Sequence, residues 1–424
     1  MFYSGENVWT ARFTPDRTGK WTYSTQSSDS DLNNKTGSIQ VSGSSGKGFV
    51  KASGDKWVRS ATGEAFVPQF IMIDELNQYH NNSSKINSDL NNFMNGHGFN
   101  GVHIRGYCRW FLLETDQCSQ IPADQRNPDP RTFEAVEQII LETYNRGGTT
   151  HIWMYGDNSR NQNPTPWGLN GMEDQRMQRY FAARLGALPG WTMGYGYDVF
   201  EWASPSQIEQ WYSYIDSRMM YPHLMSARGD KNVIMQHSEL MSYSSYEQHR
   251  PDYNKYVETI EDRSNKPSFS EDRFRVRNEG RWKDYTLDDT RQGLWRSGMA
   301  GGVANIWGYL LDGGSNSAGS RSYPNKSQIK LYFTFFESRF TKDVTRCNGL
   351  TDGSCLKRPT NQHFMFYKEN SSSITINLSG MSGSQPFVAV NTKTGQQVSG
   401  TFQAKQQTWT APSQSDWAIA VGDW

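Results

Sequence analysis

From about residue 64 to 342 the chain alternates short apolar runs with longer stretches whose apolar residues recur every three or four positions. That alternation is the signature of an α/β fold with parallel strands. Strand-like runs fall at 66–73, 101–105, 151–155, 191–195, 224–227, 240–243, 268–270 and 303–308. Helix-like segments lie between them at 133–144, 175–185, 206–219, 252–263 and 286–299, and 328–340 closes the circuit. Eight such units predict a (β/α)₈ barrel. The pattern is weakest at 235–245, where polar residues interrupt both periods.

Both ends of the chain change period. In residues 1–43 Trp9, Ala11 and Phe13 alternate with polar positions, Pro15 to Gly19 supplies turn chemistry, and Trp21, Tyr23 and Thr25 resume the alternation. Residues 43–48, Gly-Ser-Ser-Gly-Lys-Gly, read as a linker, and strand-like runs at 49–52 and 57–59 predict a hairpin under the barrel. Beyond residue 345 short strands recur at 363–367, 373–378, 387–391 and 417–421. The expected fold class is α/β: a (β/α)₈ TIM barrel at 49–342, flanked by a small N-terminal β module at 1–43 and a C-terminal β-sandwich at 345–424. Strand-like sequence begins within the first residues, so a leader and a first strand are expected to precede Met1.

Composition narrows the partners. There are 43 basic and 43 acidic residues with no basic block, which argues against nucleic acid and anionic membranes as targets. No apolar run approaches the roughly 20 residues that cross a bilayer, so membrane insertion is not expected. The four cysteines form two local pairs, Cys108 with Cys118 and Cys347 with Cys355. That spacing favours two disulfides and a secreted or cell-surface location over a zinc site, for which Cys-x-x-Cys is missing. His103, His151 and His249 lack short metal-site spacing, and Gly194-x-Gly196 lacks the third glycine of a dinucleotide loop, so neither metal nor cofactor is expected. A Gly-x-Ser-x-Gly nucleophile elbow is also missing.

In a barrel of this class the residues just past each strand converge on one bowl. Here they include His103 and Arg105 after strand two, Asp157 after strand three, and Asp198, Glu201 and Trp202 after strand four. Strand five contributes Arg228 and Asp230, strand six Tyr246, Glu247 and His249, strand seven Glu271, Asp272 and Arg273, and strand eight Trp307. Two carboxylates among aromatic and polar groups suit glycosidic bond cleavage: one acid protonates the leaving oxygen while the other attacks or stabilises the anomeric carbon. Trp202 and Trp307 are the expected sugar platforms, with His103, Arg105, Asp157 and Tyr246 on the hydroxyls and Arg105 also beside Glu271.

The phrase Trp191-Thr-Met-Gly-Tyr-Gly-Tyr-Asp198, with Lys266-Pro-Ser-Phe-Ser-Glu271, resembles retaining glycoside hydrolases of clan A. The three-part layout is similar to apiosidase-like barrels, which carry a small N-terminal β module and a C-terminal sandwich of collagen-binding-like type. Trp9-Thr-Ala-Arg-Phe-Thr-Pro-Asp-Arg-Thr-Gly-Lys-Trp-Thr-Tyr23 is similar to that module. The resemblance implies Glu271 as nucleophile, the strand-four carboxylate as acid/base, and double displacement on a polysaccharide or oligosaccharide. The clan's usual Asn-Glu after strand four is replaced by Tyr197-Asp198, so Asp198 is preferred as acid/base and Glu201, three residues later, is the alternative. A non-catalytic carbohydrate-binding surface protein and a polysaccharide lyase are the competing readings. Oligomeric state is not legible in the chain.

Overall fold

The computed structural model describes residues 1–43, 45–228, 239–276, 284–310 and 321–424. Eight parallel strands form the wall of the central sheet: Gln69–Met72, Gly101–Arg105, Thr149–Tyr155, Trp191–Gly196, Met225–Ser226, Ser244–Tyr246, Ser268–Val276 and Ala304–Leu310, here strands one to eight, and the short strand Asp284–Tyr285 pairs with strand seven as a ninth. They run in the order 5-4-3-2-1-8-7-6. Strands five and six meet through Ser242 N–H donating to Met225 O at 2.9 Å and Ser226 Oγ donating to Tyr243 O at 2.8 Å, which brings the sheet round to near closure. Strands two, three and four are buried along their whole length, as expected where helices cover one face and the barrel interior the other.

Strand six differs from expectation. It lies at Ser244–Tyr246, paired with Ser268–Ser270, whereas Leu240 in the expected run is 45% exposed. The cause is polar: Tyr243 and Ser245 turn into the barrel, so the strand carries no apolar stripe. Strand seven runs on to Val276, well beyond the expected 270. An unexpected helix, Ser83–Leu90, is capped by the Asn82 side chain accepting from Lys85 N and continues as a π-helical turn to His97, ended by Gly98 in the left-handed region.

The lower mouth is plugged by the antiparallel strands Val50–Ser53, Lys56–Arg59 and Ala65–Phe66. From this cap Trp57 reaches the interior, packing on Tyr243 and Phe269. The helix after strand four, Pro205–Asp216, starts in a capping box of Ser204 and Gln207 with proline at its first position, which fixes the length of the preceding turn.

At the N-terminus Phe2–Tyr3 pairs with Trp9–Thr10, and Gly19–Ser24 with Thr36–Val41. This region docks on the barrel helices through Arg12 and Arg184, both bound to Glu137. The C-terminal region is a six-stranded antiparallel sheet with its own apolar core around Trp417 and Phe366. It meets the barrel at helix Leu287–Met299, where Trp295 stacks on Tyr367 at 5.3 Å and the fully buried Arg291 binds the fully buried Asp416. Both expected disulfides form, Cys108 with Cys118 and Cys347 with Cys355.

Candidate active site

The pairing of strands seven and eight is regular up to Ser270 opposite Asn305 and resumes with Arg273 opposite Ile306. Two residues, Glu271 and Asp272, therefore have no counterpart and form a bulge. Bulges re-aim side chains and concentrate beside active sites. Here the bulge turns Glu271 inward, where it is wholly shielded from water.

A buried carboxylate needs donors. Trp153 Nε1 donates to Glu271 Oε1 at 2.9 Å, His151 Nε2 lies 3.2 Å from the same oxygen, and Ser245 Oγ donates to Oε2. Tyr243 OH has two acceptors within reach, Met193 O at 3.0 Å and Glu271 Oε2 at 3.5 Å. Strand four makes the space. A β-carbon on Gly194 would overlap Oε1, so only glycine lets the carboxylate lie against that strand. Trp153, His151, Tyr243 and Ser245 were not foreseen as holders of Glu271; the available signal was strand parity, which points 151 and 153, or 243 and 245, to the same face.

Two residues beyond strand four stands Asp198, whose φ of 51° is left-handed, a conformation that a non-glycine residue adopts at a cost. The kink leads into the turn Val199–Glu201, with Glu201 N donating to Asp198 O at 3.0 Å. Asp198 Oδ1 binds Arg228 Nη2, while Nη1 of the same guanidinium lies 3.4 Å from Asp272 Oδ1 and 3.4 Å from Glu271 O. Arg228 thus ties the strand-four turn to the strand-seven bulge. Glu201 is exposed, and the partial burial of its carboxyl, with the negative charges of Asp198 and Asp157, raises it above the ordinary glutamate range. Burial also raises Glu247, with Asp272 and Asp198 adding to the effect against Arg228 and His249. Tyr107 has a left-handed φ of 52°, and its ring packs on that of Tyr197.

Among the described residues Glu247, His249 and Asp272 form a group whose ligand atoms lie within 4.8 Å of one another, close enough for a metal ion. His249 Nδ1 is 3.2 Å from Glu247 and 3.1 Å from Asp272, and the Arg228 guanidinium adjoins the same aspartate, so these carboxylates already have protein partners.

Several expected roles are corrected by position. Arg105 pairs with Glu75 at 2.7 Å, and the positive group beside the strand-seven bulge is Arg228. Trp307 faces the helices, donating to Gln69 Oε1 at 2.7 Å and packing on Phe274, so it offers no platform to the bowl. Tyr246 also points outward, donating to Gln248 at 3.0 Å. Trp202 folds back on Tyr195 and is nearly covered. His103 lies under Trp153 deep in the barrel, whereas Asp157 is at the rim, capping the turn Asn158–Arg160. Asp230 falls outside the described residues.

Residues 1–28 match a family described as Domain of unknown function (DUF5060). No curated protein matches the chain. Solved structures share its architecture. A proposed glycoside hydrolase from Bacteroides vulgatus ATCC 8482 aligns over 99% of this chain and 91% of its own, with a TM-score of 0.77 and 14% identity. A glycoside hydrolase of family 5 from the same organism covers 89% of this chain and 93% of its own at a TM-score of 0.69 and 15% identity. A third structure, described as a glycoside hydrolase, covers 89% and 97% at a TM-score of 0.65 and 13% identity. At such identities the likeness is one of fold.

Proposed function

We propose that this protein is a glycoside hydrolase that cleaves a polysaccharide or oligosaccharide by double displacement, with Glu271 as nucleophile. The observation that carries the reading is the strand-seven bulge, which sets one carboxylate among convergent donors opposite the carboxylate-bearing turn of strand four. The fold shared with glycoside hydrolases supports it. Two disulfides support an oxidising, extracellular setting.

Within the turn the surroundings favour Glu201 over Asp198 as proton donor. Asp198 gives its oxygen to Arg228, whereas Glu201 is exposed and raised, as a general acid should be. A lyase is disfavoured because burial holds Tyr107 and Tyr197 above the ordinary tyrosine value, as phenols rather than bases.

The test uses a panel of 4-nitrophenyl glycosides and plant, algal and microbial polysaccharides. Glu271→Gln should abolish hydrolysis with the melting temperature preserved; a lowered melting temperature with activity retained would make Glu271 a structural acid. Glu201→Gln should spare substrates with good leaving groups and be rescued by azide, and Asp198→Asn should not be rescued. Retention of anomeric configuration in the first-formed product, read by NMR, checks the double displacement.

A further inference from the structure

Beneath Glu271 lies a buried pair of histidines. His103 on strand two and His151 on strand three stack at 5.0 Å with their Nδ1 atoms 2.8 Å apart. At that distance one proton must lie between the two nitrogens, since two protons or two lone pairs would repel. The other edge of each ring decides which nitrogen carries it. His151 Nε2 faces Glu271 Oε1 at 3.2 Å, whereas His103 Nε2 is buried with no hydrogen-bond partner among the described residues.

Only two arrangements of a neutral pair exist. With the proton on His151 Nδ1, the bare Nε2 of that ring would confront the Glu271 carboxylate, and His103 would carry an N–H that reaches no acceptor. With the proton on His103 Nδ1, His151 carries its own at Nε2 and donates to Glu271, and only a lone pair on His103 Nε2 goes unmatched. An orphaned donor and a lone pair against an anion both cost free energy, so the second arrangement is favoured. Tyr243 is compatible with this: its hydroxyl proton has two acceptors other than His151, Met193 O at 3.0 Å and Glu271 Oε2 at 3.5 Å, so its oxygen, 3.3 Å from His151 Nε2, is open as a second acceptor.

We propose that His103 and His151 are positioning residues forming a tautomer-locked relay, in which His103 Nδ1–H donates to His151 Nδ1 and His151 Nε2–H donates to Glu271. The role in turnover rests on Glu271 being the nucleophile; the tautomers do not. Burial, His151, Arg105 and Arg273 all press the His103 imidazole well below its usual value, which suits a ring that stays neutral. The relay and Trp153 then hold Oε1 from two directions, fixing the carboxylate plane and leaving the bulge backbone free of that task.

The test begins with the full-length protein labelled with ¹⁵N-histidine. Expected are a coupling across the Nδ1–H···Nδ1 hydrogen bond, a proton on His151 Nε2 and none on His103 Nε2. A bare His151 Nε2, or an imidazolium at His103, overturns the proposal. The kinetic arm uses a 4-nitrophenyl glycoside that the panel shows to be cleaved. His151→Gln places an amide donor near the lost Nε2–H and should keep most of kcat, whereas His151→Phe should lose about tenfold or more in kcat with KM little changed, the scale of one charge-assisted hydrogen bond. Equal losses in both variants would refute the relay. Were Glu271→Gln to remain active, the catalytic reading would fail while the NMR expectation stood.

Discussion

A methyl group at Gly194 has nowhere to go, because the space it would fill is held by Oε1 of Glu271. Gly194→Ala should therefore displace the carboxylate, destabilise the protein by about 1–3 kcal/mol through overpacking, and remove activity. Gly349→Ala, where a β-carbon meets nothing within 4 Å, is the matched control and should change neither melting temperature nor rate. The rim offers a pH test. A general acid must be protonated, so kcat/KM falls as pH rises through its ionisation. Asp157 is one of the charges that raise Glu201, and Asp157→Asn should move that basic limb to lower pH. A limb that stays in place would detach Glu201 from the acid's role. At this scale Glu271 was legible because a carboxylate ending an apolar run is conspicuous. Its holders were not, because Trp153 and His151 sit inside a strand where every residue is buried and composition does not mark which face each occupies.

Elements were legible where one period dominates. Strand two is found at 101–105 as expected, since its residues are buried from end to end, and strand four differs only in running one residue on. Strand six failed because its inward residues, Tyr243 and Ser245, are polar groups turned toward Glu271. Helix Ser83–Leu90 was overlooked because it buries only Ile86, Asp89 and Leu90 and is otherwise Ser, Asn and Lys. Trp307 shows the same ambiguity: one residue of parity separates a sugar platform from a helix contact. The disulfides fasten two short loops. The loops closed by Cys108–Cys118 and Cys347–Cys355 span 10 and 8 residues. Chain-entropy scaling for loops of that size gives roughly 2.5 kcal/mol each, so Cys347→Ala with Cys355→Ala should lower stability by about that amount in a denaturant titration.

At the scale of the whole molecule, the barrel and C-terminal sheet are joined by a buried ion pair, Arg291 with Asp416, beside the Trp295–Tyr367 stack. Arg291→Met leaves Asp416 buried with only Lys393, 4.0 Å away, as a cation and should cost up to about 3–5 kcal/mol, read as a lowered melting temperature by calorimetry. Burial opposes the Asp416 charge, yet hydrogen bonds from Asn370 N and Arg291 prevail and hold its carboxyl below the ordinary value. A depressed acid stabilises the fold above its unfolded value, about 3.9, and that stability is withdrawn as pH falls through the lower folded value. Acid should therefore loosen this junction below about pH 4 in the native protein, and Arg291→Met should weaken that dependence, with the Asn370 N–H still bound to Asp416. The order of parts was readable from changes in period, whereas the contacts joining them were not, because each pairs residues from distant stretches of chain.

The bulge in strand seven carries one more implication. It contains two residues, the repeat of a β-strand, so excising Glu271 and Asp272 together would leave Ser270 followed by Arg273 with inside and outside unchanged and the pairing to Asn305 and Ile306 unbroken. The proposed nucleophile is thus an insert in a ladder whose register does not depend on it. Under the proposed function, an in-frame deletion of six nucleotides would remove the nucleophile and keep the strand register, with the buried donors of Trp153, His151 and Ser245 left to find new acceptors.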